Sequence, residues 1–234
     1  MGEPLPAPRP RPGSLAVGRL LGIELRIHWT FLLLLGLVAW ANWGLGLGKV
    51  AAGLAWILAI FTSVLLHELA HCVVARGYGI EVEDILLIPI GGISQMRTIP
   101  KEPERELKMA IAGPATSLAL GATMLLLGIL LGVDLWPPTL LAGSWVARLA
   151  WLNVMLGLFN LLPALPMDGG RVLRAALSMR EDRSTATHQA ARIARVLAFG
   201  MLAVGFTYNF WFLLIGFFVL MAAGAEEAQA DNGS

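Results

Sequence analysis

Residues 64–75, VLLHELAHCVVA, set His67, Glu68 and His71 inside a run that is otherwise apolar. The run reaches back to residue 50 without a charge. It therefore predicts a helix that can cross a bilayer, which takes about 20 residues. On a helix, positions four apart share a face, so both imidazoles can reach one metal ion. Glu68 lies one step round, where it can address a metal-bound water. A glutamate inside a span is costly unless it has a partner or a wet cavity. The HExxH spacing in this setting reads as a zinc centre inside a membrane helix.

The composition of the whole chain agrees. Of 234 residues, 57% are hydrophobic and only 14% are charged, where soluble domains carry roughly 25%. That excludes an ordinary cytosolic enzyme and a disordered chain. The net charge of +1 provides no field that would favour nucleic acid, so no nucleic-acid partner is expected. Cys72 is the single cysteine, so neither an intrachain disulfide nor a cysteine-based zinc site can be built. Directly after His71 but about 100° round the helix from it, Cys72 reads as an inert buried thiol.

Uncharged runs mark the remaining spans: 29–48, 109–133, 149–167 and 196–225. The last, at 30 residues, is too long for one helix, and a break near Tyr208 and Asn209 makes it a hairpin whose first helix begins back near His188. The chain thus reads as an all-α polytopic membrane protein of six transmembrane helices; five spans, one of them long and tilted, is the alternative. With the N-terminus in the cytoplasm, 15 of the 17 Lys and Arg residues fall inside, and only Lys49 and Arg148 outside. Trp40, Trp43, Trp136, Trp145, Tyr208 and Trp211 gather at the expected outer surface. The expected organisation is a Pro-rich disordered tail over 1–14, the six-span domain over 15–225 and a polar C-terminal tail over 226–234. Between helices two and three, residues 80–96 are β-branched and broken by Pro89, Gly91 and Gly92. They predict a short membrane-associated β-strand loop, whose backbone needs partners along its edges if it dips into lipid.

Zinc in a hydrolytic site takes three protein ligands and leaves a fourth position for water. His28 and His188 read as interfacial, and Glu24, Glu81, Glu83 and Asp84 as solvated acids. Asp168 differs. It closes the fourth span in NLLPALPMDGGR (160–171), where two prolines stop the helix and two glycines permit a tight turn. Helices two and four both run inward, so the histidines and Asp168 arrive at similar depth near the inner leaflet. This supports a site of His67, His71 and Asp168.

These two motifs resemble the site-2 protease family of intramembrane zinc metalloproteases. The likeness spans roughly residues 15–225 and includes Gly18-Arg19, Gly22-Ile23, His28-Trp29, Gly91-Gly92 and Gly113-Pro114. It implies that His67, His71 and Asp168 bind one zinc, that Glu68 activates water as general base, and that Asn160 holds the substrate carbonyl or its oxyanion. The strand loop, with Ile90, Gly91, Gly92 and Ile93, would hold extended substrate by strand addition. The implied activity is endopeptidase cleavage within single-span membrane proteins, in regulated intramembrane proteolysis or clearance of signal-peptide remnants. The implied setting is the lipid bilayer of the plasma membrane, with both termini cytoplasmic. Met167 stands where the family often has leucine. There is no room for a PDZ insert, and the CBS pair that many members carry after the last helix does not follow within these residues. A regulatory domain or partner protein would act from the cytoplasmic side. Two rival readings are a membrane metal transporter, which calls for polar residues at several depths, and a catalytically silent metal-binding scaffold.

Overall fold

The computed structural model describes residues 11–98, 100, 102–140 and 142–232. The expected Pro-rich tail lies largely outside the described residues. The chain divides into two compact units, Met1–Thr98 and Ile99–Ser234.

The first unit opens with β1 (Ser14–Leu20) and β2 (Ile23–His28), then α1 (Trp29–Asn42), a single 3-10 turn, α2 (Leu47–Gly77), β3 (Val82–Ile88) and β4 (Gly91–Met96). Residues 14–28, ahead of the first apolar run, are a β-hairpin. Its two-residue turn, Leu21 and Gly22, has both φ angles positive, which matches the twist of the flanking strands. The sheet runs β1-β2-β3-β4, with β2 and β3 parallel and the other pairs antiparallel. The molecule is thus mostly helical but not all-α. The strand loop between the second and third apolar helices is present as β3 and β4, and long-range pairing with β2 extends it into a four-stranded sheet.

One buried cluster binds sheet to helices. Phe31 of α1 meets Phe61 of α2 edge-on, with ring centroids 4.5 Å apart, and Ile23, Cys72, Ile85 and Leu87 join them. His28 caps α1, its Nδ1 accepting from the Thr30 amide. Arg76, in the last turn of α2, donates to the Leu21 carbonyl in the hairpin turn.

The second unit comprises α3 (Pro103–Leu130), α4 (Trp145–Asn160), α5 (Asp168–Ser178), α6 (Arg183–Thr207) and α7 (Phe210–Asn232). Small residues let the helices approach closely, as in membrane bundles. A Cβ on Gly157 of α4 would stand 2.7 Å from Leu118 Cγ of α3, and one on Gly205 of α6 only 2.4 Å from the Leu213 amide of α7. The break between α6 and α7 falls at Tyr208 and Asn209. The polar stretch 226–234 is helical through Asn232.

Among the described residues, four helices are long and apolar enough to cross a membrane: Leu47–Gly77, Pro103–Leu130, Arg183–Thr207 and Phe210–Ala228. The apolar α1 and α4, at 14 and 16 residues, fall short of the usual length.

Candidate metal centre

In α2 the residues Ser63, His67, His71 and Ala75 recur every fourth position and are all buried, so one stripe of the helix faces inward. His67 and His71 are each only 3% exposed. Their Nε2 atoms stand 3.3 Å apart, with the rings inclined at 77°. Two nitrogens bound at about 2.0–2.1 Å to one tetrahedral zinc would be about 3.3 Å apart, so the pair fits the ion. Imidazole is also a donor that zinc accepts readily.

Glu68 points toward β4 instead. Ser94 Oγ donates to Glu68 Oε2 at 2.9 Å. Two residues earlier on the same strand face, Gly92 lies so close that a Cβ there would be 2.7 Å from Glu68 Cγ. Ile93 and Ile90 are exposed, the latter 87%. Thus Gly92 and Ser94 face the glutamate, while Ile93 points away. Within the described sheet β4 is an edge strand, bonded to β3 along one side. Ser94 was missed by sequence reasoning, though strand alternation from Gly92 would have found it.

In the second unit Asp168 is 8% exposed. It does not end α4, as the sequence suggested. α4 stops at Asn160, and Asp168 is the first residue of α5. Pro163 and Pro166 prevent continuation of α4, and an acid suits a helix N-terminus. The intervening turn folds back on the next two glycines. A Cβ on Gly169 would lie 2.3 Å from the carbonyl oxygens of Leu161 and Leu162, and one on Gly170 2.4 Å from the Leu165 amide. Arg171 Nη1 is 3.8 Å from Asp168 Oδ1. Asn160 is half-buried and donates from Nδ2 to the Leu156 carbonyl at 2.9 Å.

The other candidate ligands have other work. His188 Nδ1 lies 3.1 Å from Glu227, and Arg97 pairs with both Glu81 and Glu83. Arg26 pairs with Glu24, and Arg11 Nη2 is 2.9 Å from Asp84. Burial pushes the Asp84 carboxyl above its ordinary value, and the Arg11 and Arg26 charges oppose that rise. Cys72 is fully buried in the apolar cluster beneath the sheet.

Comparison with known proteins is consistent over most of the chain. Residues 55–142 and 138–204 match peptidase family M50. A zinc metalloprotease of Methanocaldococcus jannaschii is 39% identical over 222 residues, covering 93% of this chain and 62% of that protein. The Rip3 protein of Mycobacterium tuberculosis, which carries the same kind of name, is 38% identical over 237 residues, covering 94% of this chain and 60% of its own length. This chain therefore spans about three fifths of the length of these two relatives. The solved structure titled as the site-2 protease of Methanocaldococcus jannaschii superposes with a TM-score of 0.63 at 37% identity, covering 92% of this chain and 95% of that one.

Proposed function

The chain belongs to peptidase family M50, and on that premise we propose that it is a zinc endopeptidase cleaving peptide bonds within transmembrane segments of single-span membrane proteins. The observation that carries this reading is the buried imidazole pair, 3.3 Å apart on an apolar helix of spanning length. His67, His71 and Asp168 would hold one zinc per chain. Zinc held there would supply the Lewis acidity that activates water and polarises the scissile carbonyl.

The protein's own groups do the rest. Glu68 takes the water proton and delivers it to the leaving amide nitrogen. Ser94 holds one oxygen of the Glu68 carboxylate, which fixes the direction in which the base can reach. Asn160 steadies the substrate carbonyl through an amide N–H. A substrate helix hides its scissile amide behind internal hydrogen bonds and must unwind locally, so its freed backbone needs partners. The edge of β4, from Gly91 through Ile93 and next to the exposed Ile90, supplies them by strand addition. In the membrane α1 and α4 complete six spans, with both termini on the cytoplasmic side of the plasma membrane, as the 15-to-2 division of basic residues favours.

The test is to incubate the purified protein in detergent or liposomes with a panel of single-span peptides, with and without chelator, and to map cuts by mass. Chelator-sensitive cleavage inside a hydrophobic segment is expected. Metal-dependent ion flux without any cut would contradict the reading.

A further inference from the structure

Away from the histidine pair, a buried charge cluster lies wholly in the second unit. Glu106, in the first turn of α3, is 0% exposed. Arg174 of α5 grips its Oε1 with two nitrogens, Nε at 3.1 Å and Nη2 at 2.5 Å. Arg174 Nη1 donates to Glu226 Oε2 of α7 at 3.1 Å. Arg183, opening α6, lies 3.0 Å from Glu106 Oε2 and donates to the Pro100 carbonyl at 3.0 Å. One guanidinium thus joins α5 to α3 and α7.

Such a pair is a poor source of net stability, because desolvation offsets the attraction. Its planar fork accepts a carboxylate in a narrow range of angles, so it is well suited to fixing geometry. The element it fixes needs fixing. α5 has 11 residues and is too short to hold itself as a helix. Its first turn is pinned where Gly169 and Gly170 meet the 161–165 turn. Arg174 is the second fixed point, about 9 Å further along the axis. Two fixed points set both the position of a short helix and its rotation about its own axis. The residue at the head of that helix is Asp168.

We propose that the Glu106–Arg174 pair is a positioning element for Asp168, holding α5 in the rotation that aims this carboxylate at the metal. The inference rests on the reading of Asp168 as third zinc ligand, given above. In it Glu106 and Arg174 touch neither substrate nor metal and act only through α5.

The test uses the purified full chain loaded with Zn²⁺ or Co²⁺, and three changes. Arg174→Lys keeps the charge and loses the fork. Glu106→Gln with Arg174→Met removes both buried charges together and leaves Arg183 and Glu226, both partly exposed, to water. Asp168→Ala is the reference for a missing ligand. The measurements are zinc affinity against a competing chelator, the visible absorption band of the Co²⁺ form, and the metal-free melting temperature, followed by kcat and KM. The double variant is expected to bind zinc about 10-fold to 100-fold more weakly and to shift the Co²⁺ band, with kcat falling more than KM changes. Arg174→Lys is expected between it and wild type. An unchanged band and affinity in both, while Asp168→Ala abolishes them, overturns the positioning role. An unchanged band in Asp168→Ala removes Asp168 as a ligand, and this inference with it. Should the double variant not fold, Arg174→Lys and Glu226→Gln decide by the same band, since Glu226 is a partly exposed partner whose loss α5 can survive.

Discussion

The helix α2 and the segment from Asn160 to Asp168 place their chemistry in opposite ways. α2 is unbroken, and helical periodicity alone brings His67 and His71 to one face. The 160–168 segment is broken by two prolines, and Asp168 stands where it does because backbone lies directly on backbone at Gly169 and Gly170. Atoms added beside Asp168 cannot be accommodated. The difference teaches that the histidine pair is specified by spacing, whereas the position of Asp168 is specified by close packing of the main chain.

Gly169→Ala should therefore have the largest effect. Its methyl would meet two carbonyl oxygens that cannot swing aside, at a cost of about 3 kcal/mol. Loss of zinc affinity together with a lower melting temperature is expected. A variant that folds and binds zinc normally would break the contrast. On the α2 side, Gly92→Ala meets the flexible Glu68 side chain rather than backbone. Zinc content should survive while turnover falls, because the carboxylate must move. Ser94→Ala should be milder still, about tenfold in kcat, for a single hydrogen bond to an ionised group. A Ser94→Ala protein as slow as Gly92→Ala would mean that the hydroxyl, not the space beside it, fixes Glu68.

The smallest effect is expected at Asp182, the cap of α6, whose carboxylate accepts from the Thr185 amide at 2.9 Å and its hydroxyl at 2.8 Å. The Thr185 backbone hydrogen bond first, then the hydroxyl, hold its pKa below the ordinary 3.8. A lowered folded-state pKa means that the stabilisation is present above the ordinary value and is lost as pH falls through the folded one. Asp182→Ala should lower the melting temperature slightly at neutral pH, and the difference should vanish in strong acid.

Much of this arrangement was legible in the sequence. The histidine spacing, the strand character of residues 80–96 and the break at Tyr208-Asn209 are local patterns, and each appears where periodicity or a polar interruption put it. What escaped depends on partners distant in sequence. β2 is completed by parallel pairing with β3, about 60 residues later, and the hairpin before it turns on Leu21, a residue type that rarely takes a positive φ. α5 is short and charged, and its Arg174 meets Glu106, which lies 68 residues earlier in the chain. Ser94 is an unremarked hydroxyl until the strand is laid beside Glu68.

The central claim is that Glu68 serves as base while His67, His71 and Asp168 hold the metal. Its most direct test is zinc stoichiometry measured alongside turnover in Glu68→Gln, with Asp168→Ala beside it. Glu68→Gln keeps the size of the side chain but cannot take the water proton. It should retain one zinc, bind intact substrate and lose at least about 10²-fold in turnover, whereas Asp168→Ala should lose zinc and activity together. Wild-type turnover in Glu68→Gln, or loss of its zinc along with its activity, would contradict the claim.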